Sequence, residues 1–430
     1  MSPYTAICLV VANMVGTGVF TMVGFQIKAG LTPFVILVLW LVGGVCALCG
    51  SVAYAELAAA LPRSGGEYHY LARIFHPAFG FLAGWVSVTA GFAAPVAIAA
   101  MAAGVYIHGV WPELPAGAVA AVAVAGITAA MIGSPRLRER FQDTATSLKL
   151  LLIVAFIALG MFAPATGSSL APRAGDGGQL FSAAFASSLI FVMYAYAGWN
   201  ASSYVTGEVR HPARNVPLSM ALGTVIVTIL YFALNAVFLR VAPAAELNGQ
   251  IEAGLIAGRH AFGETGGRWM AVLITLGLLS SIGAMQWVGP RVLATMGEDH
   301  RLLRPFSVVN TGGLPIIATL AQTGLVALLL ATGAFEKVLT YVQFTITLCS
   351  FLAVSGVFVL RWREPDLPRP VRTWGYPLTP LLFLAVNGWM LWHVLLSTPW
   401  ESLAGLATLV LGLIVFRLSE RPPAKSDIQD

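Results

Sequence analysis

The chain has 430 residues, of which 58% are hydrophobic and 10% are charged. A soluble globular protein needs about 25% charged residues to cover its surface, so that class is excluded, and disordered chains, coiled coils and nucleic-acid modules with it. A membrane-spanning helix needs about 20 mostly apolar residues, so the hydrophobic fraction would fill roughly twelve. The apolar stretches are continuous rather than alternating, which argues against a β-barrel. The sequence therefore predicts an all-α polytopic membrane protein.

Twelve apolar stretches follow one another along the chain, separated by charged residues and by Pro and Gly. An even number of spans places both termini on the same side of the membrane. The predicted spans cover roughly 4–29, 34–61, 78–106, 116–133, 142–163, 181–207, 216–241, 269–296, 314–333, 336–360, 376–397 and 401–418.

The basic residues of the loops are distributed unevenly. Seventeen lie on the side that carries the termini and six on the opposite side. Because cytoplasmic loops carry the excess of Lys and Arg, we expect both termini in the cytoplasm. The net charge of +5 then reflects these loops rather than an acidic partner. All four cysteines lie in apolar stretches, so a disulfide framework is not expected.

Two spans contain small and polar residues at mid-depth. The first span carries Gly16-Thr17-Gly18, and the sixth carries Gly198 followed by Trp199 and Asn200. Glycine weakens a helical ladder, and nearby polar side chains can bond the freed backbone groups. The alternative is that these small residues only allow helices to pack closely. Since the interruptions open two successive blocks of five spans, they favour a transporter site at the membrane midplane between inverted repeats.

Broken helices offer two kinds of backbone group. The N–H groups that begin the second half of the first span suit a carboxylate. The carbonyls that end the first half of the sixth span suit an ammonium group. A site with both predicts an α-amino acid zwitterion as ligand, although a small anion or an amine fits half of it.

Sequence motifs on most of spans one to seven point the same way. They are Gly16-Thr-Gly-Val-Phe20, Ala53-Tyr54-Ala-Glu56-Leu57, Ser64-Gly-Gly-Glu67-Tyr68, Leu148-Lys149-Leu-Leu, Tyr194-Ala-Tyr-Ala-Gly-Trp-Asn200 and Thr206-Gly-Glu208-Val-Arg-His-Pro212-Ala-Arg214-Asn215-Val-Pro217. In them the chain resembles the L-type amino acid transporter branch of the amino acid–polyamine–organocation (APC) superfamily. The motif of the sixth span is the most specific, and spans eight to twelve match mainly in number and hydropathy.

The resemblance implies a leucine-transporter-like fold with twelve transmembrane helices, a five-plus-five inverted repeat and breaks in helices 1 and 6. We expect helices 1–5 over residues 1–165 and helices 6–10 over 178–361. Helices 11 and 12 would follow over 374–418, outside the repeat, and a cytoplasmic tail over 419–430.

The resemblance also implies a substrate site. The carboxylate would be held at the first break, by Val15, Gly16, Thr17 and Gly18. The amino group would lie by Ala195 and Ala197, next to Gly198. Tyr194 would be an aromatic gate on the outer side of the substrate, and Asn200 the polar residue just past the second break. Trp287 in the eighth span either walls the pocket or is an indole packed in the bundle.

Lys149 is a charge inside the fifth span, where insertion costs at least about 2.5–3.5 kcal/mol. It either snorkels to the cytoplasmic headgroups or faces a partner in the protein. In the resembling family a lysine here takes the place of a sodium ion, which implies sodium-independent transport. We expect Lys149 to couple substrate binding to closure, with or without carrying a proton.

Glu56, near the inner end of the second span, is another carboxylate in apolar surroundings. It either locks a gate by pairing with a cytoplasmic arginine or is structural, and the structural interpretation is favoured. The seven histidines are scattered, without metal-ligand spacing, and nucleotide-binding or zinc-hydrolase motifs are absent from the sequence. We therefore expect neither a metal nor a cofactor.

The sequence favours a secondary transporter of amino acids over an enzyme or a channel. An intramembrane acyltransferase would need a His or a carboxylate cluster, and a channel would need a repeated filter. Spans one and six place no charged residue in the predicted pocket, so neutral amino acids are favoured. A polyamine or cationic amino acid permease of the same superfamily is the alternative. Exchange and proton symport are equally compatible with the sequence.

Two departures from the family pattern affect partners and location. The segment before the first helix is short, so we expect a reduced inner gate. The loop 107–115 lacks the cysteine with which animal members bind a glycoprotein subunit, so no disulfide-linked heavy chain is expected. Both features suggest a prokaryotic inner-membrane protein. Its expected small-molecule partners are an amino acid and, if transport is proton-coupled, protons.

Overall fold

A computed structural model of the chain describes residues 1–133, 135–310, 312–332, 335–397 and 399–419. Within these ranges, side chains are not described at 135, 335–343, 394, 397, 399–402 and 404. The predicted cytoplasmic tail, 419–430, lies outside the described residues except for its first residue.

The described part of the chain is built from helices and contains no strand. Short 3₁₀ helices cover Ala201–Glu208 and Arg301–Ser307. The α-helices are α1 (Pro3–Met14), α2 (Gly18–Lys28), α3 (Pro33–Ala60), α4 (Glu67–Ile74), α5 (Pro77–Val86), α6 (Ala94–His108), α7 (Ala116–Ile132), α8 (Pro135–Phe162), α9 (Asp176–Gln179), α10 (Ala183–Tyr196), α11 (Pro212–Val241), α12 (Ala244–Leu247), α13 (Ala253–Asp299), α14 (Ile316–Thr332), α15 (Phe335–Arg363), α16 (Leu378–Ser397) and α17 (Pro399–Ser419).

Several helices begin with a capping side chain followed by proline. Ser2 accepts a hydrogen bond from the Thr5 N–H at the start of α1, and Thr32 accepts one from the Val35 N–H at the start of α3. In both helices the next residue is proline, whose fixed φ suits the first helical position and whose missing N–H would be unpaired there. These local signals fix where the chain enters the bundle.

Length and apolar composition allow seven helical segments in the described part of the chain to cross a membrane. They are Pro3–Lys28, Pro33–Ala60, Pro77–His108, Arg136–Phe162, Pro212–Val241, Ala253–Asp299 and Phe344–Arg363. Shorter apolar helices cover Ala116–Ile132, Ile316–Thr332 and Gly405–Ser419. The prediction of a polytopic all-helical membrane protein is confirmed. The count of twelve spans and the inverted repeat stay predictions.

Two long helical segments are not regular. Residues Ser87–Ala93 form a π-helical turn between α5 and α6, a feature that widens a helix and often occurs at functional sites. In α13, Gly263 has φ 74° and ψ −175°, so this long segment consists of two helices with a break between them. The predicted eighth span, 269–296, lies wholly in the second of them.

The first helix pair is the centre of the bundle. Helix α1 packs against α8, α11 and α13, while α2 packs against α10, α11 and α13. Their inward side chains are fully buried in one large apolar core, which includes Val11, Met14, Val19 and Phe20. The break between α1 and α2 is therefore deep inside the protein, where it meets the end of α10.

Candidate functional site: a cavity between two broken helices

A cavity of about 770 Å³, including its open mouth, lies where the breaks of the first and sixth spans face each other. Both interruptions contribute to its wall, together with the π-helical turn and single residues from α4, α13 and α15. The described residues that line it are Asn13, Met14, Gly16, Thr17, Gly18, Glu67, Val86, Ser87, Gly91, Phe92, Pro95, Ala99, Tyr194, Ala195, Ala197, Gly198, Asn200, Ala201, Tyr204, Met285 and Ile346.

The first break covers Val15, Gly16 and Thr17. Helix α1 ends at Met14, and the Gly16 N–H donates to the Met14 carbonyl at 2.8 Å in a tight turn. Helix α2 then begins at Gly18, and the N–H groups of a first helical turn have no intrahelical acceptor. The amides at Thr17 and Gly18 are therefore the donors best placed for an anion in the cavity.

Glycine has a different role at each position of this break. A Cβ on Gly16 would meet nothing within 4 Å, because it would point into open space. A Cβ on Gly18 would lie 2.5 Å from the Ala195 Cβ and 2.8 Å from the Ala195 Cα. Gly18 thus lets the two broken helices touch, while Gly16 keeps the cavity open.

The second break follows α10. The helix ends at Tyr196, and Gly198 has φ 102°, which an L side chain rarely adopts. A Cβ there would also lie 2.9 Å from the Asn13 carbonyl carbon. Both the positive φ and this close approach therefore require glycine. Because α10 ends here, the negative end of its helix dipole lies at the break. The Tyr194 carbonyl accepts from the Ala197 N–H at 2.9 Å and the Ala195 carbonyl accepts from the Tyr231 hydroxyl at 3.0 Å, so each oxygen retains a second lone pair for a ligand.

Tyr231 of α11 joins the two breaks. Its hydroxyl lies against the carbonyls of Met14 and Ala195, the latter at 3.0 Å, and contributes one proton to a bond with either. The tyrosine is buried and packs on the rings of Trp40 and Tyr196. Sequence reasoning missed this residue, because one tyrosine within an apolar span gives no signal of a distant partner.

Lys149 of α8 lies against the first break rather than extending to the membrane surface. Its Nζ donates to the Val15 carbonyl at 2.8 Å and to the Ser281 Oγ at 3.0 Å, and it is buried. Ser281 of α13 also donates to the Val15 carbonyl, at 2.7 Å. The lysine therefore ties α8 and α13 to the end of α1, as expected for a buried charge with partners.

Several predicted site residues occupy the cavity wall, and others do not. Gly16, Thr17, Gly18, Tyr194, Ala195, Ala197, Gly198 and Asn200 line the cavity. Val15 is buried beside it, with its carbonyl directed to Lys149. Trp287 is not among the described lining residues. It is buried in an apolar cluster that includes Leu9, Phe92 and Tyr204, and Met285 represents α13 at the wall.

Glu56 lies outside the cavity in a cluster of charges. Its carboxylate accepts from the Arg361 Nε at 2.8 Å and Nη2 at 2.6 Å, and from the backbone N–H and hydroxyl of Thr373, both at 2.7 Å. The Arg369 Nε lies 3.3 Å from the same carboxylate. This network attaches the loop after α15 to the end of α3.

Glu67 is a second residue that sequence reasoning did not place in the site. It begins α4 after the Gly65-Gly66 turn, and its carboxylate lines the cavity with 2% of the residue exposed. Its Oε1 accepts from the Ser350 hydroxyl at 2.8 Å, from the Asn200 Nδ2 at 3.3 Å and from the Tyr54 hydroxyl. The sequence signal that could have identified Glu67 is a carboxylate directly after two glycines, Gly65 and Gly66.

The sequence pattern of the family described as "Amino acid permease" matches residues 1–414. The chain belongs to the amino acid permease family. The resemblance to the APC superfamily is thus confirmed, and this permease is a multi-pass membrane transporter of amino acids rather than an enzyme.

Curated relatives of the permease cover nearly all of it. The mouse (Mus musculus) "b(0,+)-type amino acid transporter 1" is 26% identical over 96% of this chain and 86% of its own. The rabbit (Oryctolagus cuniculus) "Large neutral amino acids transporter small subunit 2" is 28% identical over 95% of this chain and 78% of its own. The mouse "Asc-type amino acid transporter 1" is 26% identical over 96% and 80%.

Proposed function

We propose that this permease is a sodium-independent secondary transporter of neutral amino acids that works by alternating access, either as an exchanger or with proton coupling. The observation that carries the proposal is the cavity itself, whose wall combines the start of α2 with the end of α10. Substrate class, ion dependence and mechanism are argued in turn below.

A zwitterion fits the two helix ends. The carboxylate would accept hydrogen bonds from the Thr17 and Gly18 amides and from the Thr17 hydroxyl, at the positive end of α2. The ammonium group would donate to carbonyls between Tyr194 and Ala197, at the negative end of α10. Val15 would contribute by fixing the shape of the break, because its N–H donates to the Val11 carbonyl at 2.8 Å and its carbonyl accepts from Lys149. Tyr194 would cover the substrate as a gate.

The remaining wall supports a neutral substrate side chain. Most of it is apolar, from α5, the π-helical turn, α6, α13 and α15: Val86, Phe92, Pro95, Ala99, Met285 and Ile346. Such a surface favours burial of an uncharged side chain by roughly 25 cal/mol per Å² of apolar contact. The name of one relative, a large neutral amino acids transporter, is consistent with this choice.

A polyamine or cationic amino acid permease is the second candidate. Glu67 favours it, because a carboxylate in the wall offers a partner to a second positive charge. Its Oε1 already accepts bonds from three neutral donors, which lowers the gain from an added cation. The neutral class therefore remains our first choice.

Sodium independence is supported by Lys149. Its ammonium group occupies the space beside the Val15 carbonyl, where the resembling family replaces a sodium ion with lysine. A second cation at this point would face like charge at close range. We propose that Lys149 couples closure of the first break to substrate binding, that Tyr194 acts as the gate, and that Glu56 supports the inner end of α3.

We further propose the membrane arrangement that the sequence predicts. Twelve spans form repeats over 1–165 and 178–361, followed by two helices over 374–418. Both termini lie in the cytoplasm, in a cell inner membrane, and no disulfide-linked heavy chain is required. Cysteine labelling of loop residues in intact cells tests this topology.

Uptake into proteoliposomes tests the function. Purified protein is reconstituted with unlabelled leucine inside, and accumulation of labelled leucine is followed with sodium outside and again with sodium replaced by choline. We expect saturable accumulation that is equal in both media and is competed by neutral amino acids. Uptake of arginine or a polyamine without leucine uptake would establish the second candidate, and no saturable uptake of any of them would refute the proposal.

A further inference from the structure

Glu67 and its surroundings support one further inference, which rests on the proposed transport function. The residue is a buried carboxylate at the contact of four structural elements. Tyr54 of α3 and Ser350 of α15 donate to it from one side. Asn200 donates from the segment that follows the break of the sixth span. The carboxylate thus links a part of the chain that must move in alternating access to parts that frame it.

The partners of Glu67 in the described part of the chain are neutral. The ion pairs found there involve other carboxylates. The titratable groups that face it are Tyr54 from α3, Tyr70 from its own helix, Tyr204 from the 3₁₀ helix and Cys349 from α15. Helix α5 and the π-helical turn contribute no titratable side chain to this contact.

A buried anion without a cation nearby is costly, and binding a proton removes that cost. Burial raises the pKa of Glu67 above its ordinary value, and the hydroxyl donors of Tyr54, Ser350 and Tyr204 oppose that rise without cancelling it. Its protonation therefore occurs closer to neutral pH than that of an exposed glutamate.

We propose that Glu67 is a proton-binding site of the substrate cavity, and that its protonation releases the second half of the sixth span. When the carboxylate is charged, its bonds from Asn200 and Ser350 are charge-assisted and hold the segment after Gly198 in place. When a proton is bound, the acceptor is neutral and these bonds weaken to about half. Conformational exchange is then faster, so transport accelerates as the pH falls.

The proton has a defined place. It bonds to a carboxylate oxygen of Glu67 and is delivered from solution by hydronium, so the step consumes one proton, releases one water molecule and leaves a neutral carboxylic acid. The Tyr204 hydroxyl, which accepts from the Asn200 Nδ2 at 3.2 Å, lies in the same network. No further cofactor is needed.

Leucine counterflow at a series of pH values tests this inference, with Glu67→Gln as the mimic of the protonated state. Wild-type transport is expected to rise severalfold as the pH falls over about pH 9 to 5. The Glu67→Gln variant is expected to transport at the wild-type low-pH rate at every pH. Glu113→Gln, which removes an exposed loop carboxylate, is the matched control and should keep the wild-type profile.

Outcomes for the two proposals are distinguishable. Leucine transport whose pH profile is unchanged in Glu67→Gln, or a wild-type rate independent of pH, overturns the proton site but not the transport function. An absence of amino acid uptake at every pH overturns the transport function. If Glu67→Gln does not fold, Glu67→Asp keeps the titratable group at a shorter reach, and its profile should keep the pH dependence with a displaced midpoint.

Infrared spectroscopy tests the protonation of Glu67 directly and does not depend on transport activity. Infrared spectra of wild-type protein recorded across the same pH range should contain a protonated carboxyl band that disappears at high pH. That band should shift in Glu67→Asp and be unchanged in Glu113→Gln. A wild-type spectrum without a pH-dependent carboxyl band that responds to substitution of Glu67 overturns the inference.

Discussion

Two buried carboxylates near the same turn of the chain have opposite surroundings. Glu56, at the end of α3, is 1% exposed and faces the guanidinium groups of Arg361 and Arg369. Glu67, at the start of α4, is 2% exposed and accepts from hydroxyl and amide donors. The first is fixed by opposite charge outside the cavity, and the second is held by dipoles in the cavity wall.

Two buried cations, Arg291 and Lys149, show the same contrast. Arg291 of α13 pairs with Glu208, which attaches the end of the 3₁₀ helix to α13. Lys149 instead donates to the Val15 carbonyl and the Ser281 hydroxyl, at the first helix break. Charges with charged partners hold the architecture together, because removing one partner strands the other. Charges with neutral partners can change state or partner at lower cost, which suits groups that take part in transport.

The largest effect should come from breaking the charged cluster. Glu56→Gln leaves Arg361 and Arg369 without their carboxylate, and losing one partner of a buried pair costs roughly 3–5 kcal/mol. We expect a large drop in the melting temperature of the detergent-purified protein. Glu364→Gln is the control, because its pair with Arg73 is partly exposed and is worth at most about 1 kcal/mol. Equal melting temperatures for the two variants would contradict the comparison.

Substitutions of the two glycines at the first break separate packing from substrate binding. Gly18→Ala places a methyl group on the backbone of Ala195 and should destabilise the protein by about 1–3 kcal/mol. Gly16→Ala meets no protein atom, so its stability should be retained while the KM for substrate rises severalfold. Thermal melting of the two variants measures the change in stability, and uptake kinetics measure the change in KM. A stable Gly18→Ala with normal transport would show that the two breaks do not touch in this way.

Lys149 is a buried cation whose hydrogen-bond partners are neutral, and its substitution tests whether such a charge takes part in transport. Lys149→Ala should lower transport at least about tenfold, equivalent to about 1.4 kcal/mol, because the tie between α8 and the first break is lost. Normal uptake by this variant would remove Lys149 from the coupling mechanism. Lys149→Gln retains a donor but no exchangeable charge, so preserved transport in it excludes only a proton role.

The smallest effect concerns one donor to Glu67. Tyr54→Phe removes a hydrogen bond to the charged carboxylate, which favours the protonated form, so the pKa of Glu67 should rise further above its ordinary value. Since transport is expected to accelerate on protonation, the midpoint of its pH profile should move to higher pH. A midpoint that moves to lower pH would contradict the assignment of Tyr54 as a donor to the anion.

The sequence predicted those parts of the site that depend on the local backbone. Glycines next to polar residues in mid-span indicated the breaks at Gly16–Gly18 and Gly198, because glycine weakens the helical ladder and polar side chains can bond the freed backbone groups. Lys149 was predictable from its cost in an apolar span. In the structure the two breaks face each other, and Lys149 donates to the Val15 carbonyl at the first of them.

Residues brought in by tertiary packing could not be predicted in the same way. Tyr231 reaches both breaks from α11, and no sequence spacing encodes that reach. Trp287 was either a wall residue or an indole packed in the bundle, and it lies in an apolar cluster while Met285 of the same helix lines the cavity. Glu67 follows a turn, and only its tertiary contacts with Asn200 and Ser350 show that its carboxylate lines the cavity.

The central claim is that an amino acid binds between the two helix breaks, and protection of a cysteine at Gly16 tests it most directly. The four native cysteines are buried, so a membrane-permeant thiol reagent should react preferentially with Gly16→Cys in the open cavity. The account predicts that saturating leucine slows this labelling severalfold, while a non-transported sugar does not. An unchanged labelling rate in the presence of an amino acid that the variant still transports would contradict it.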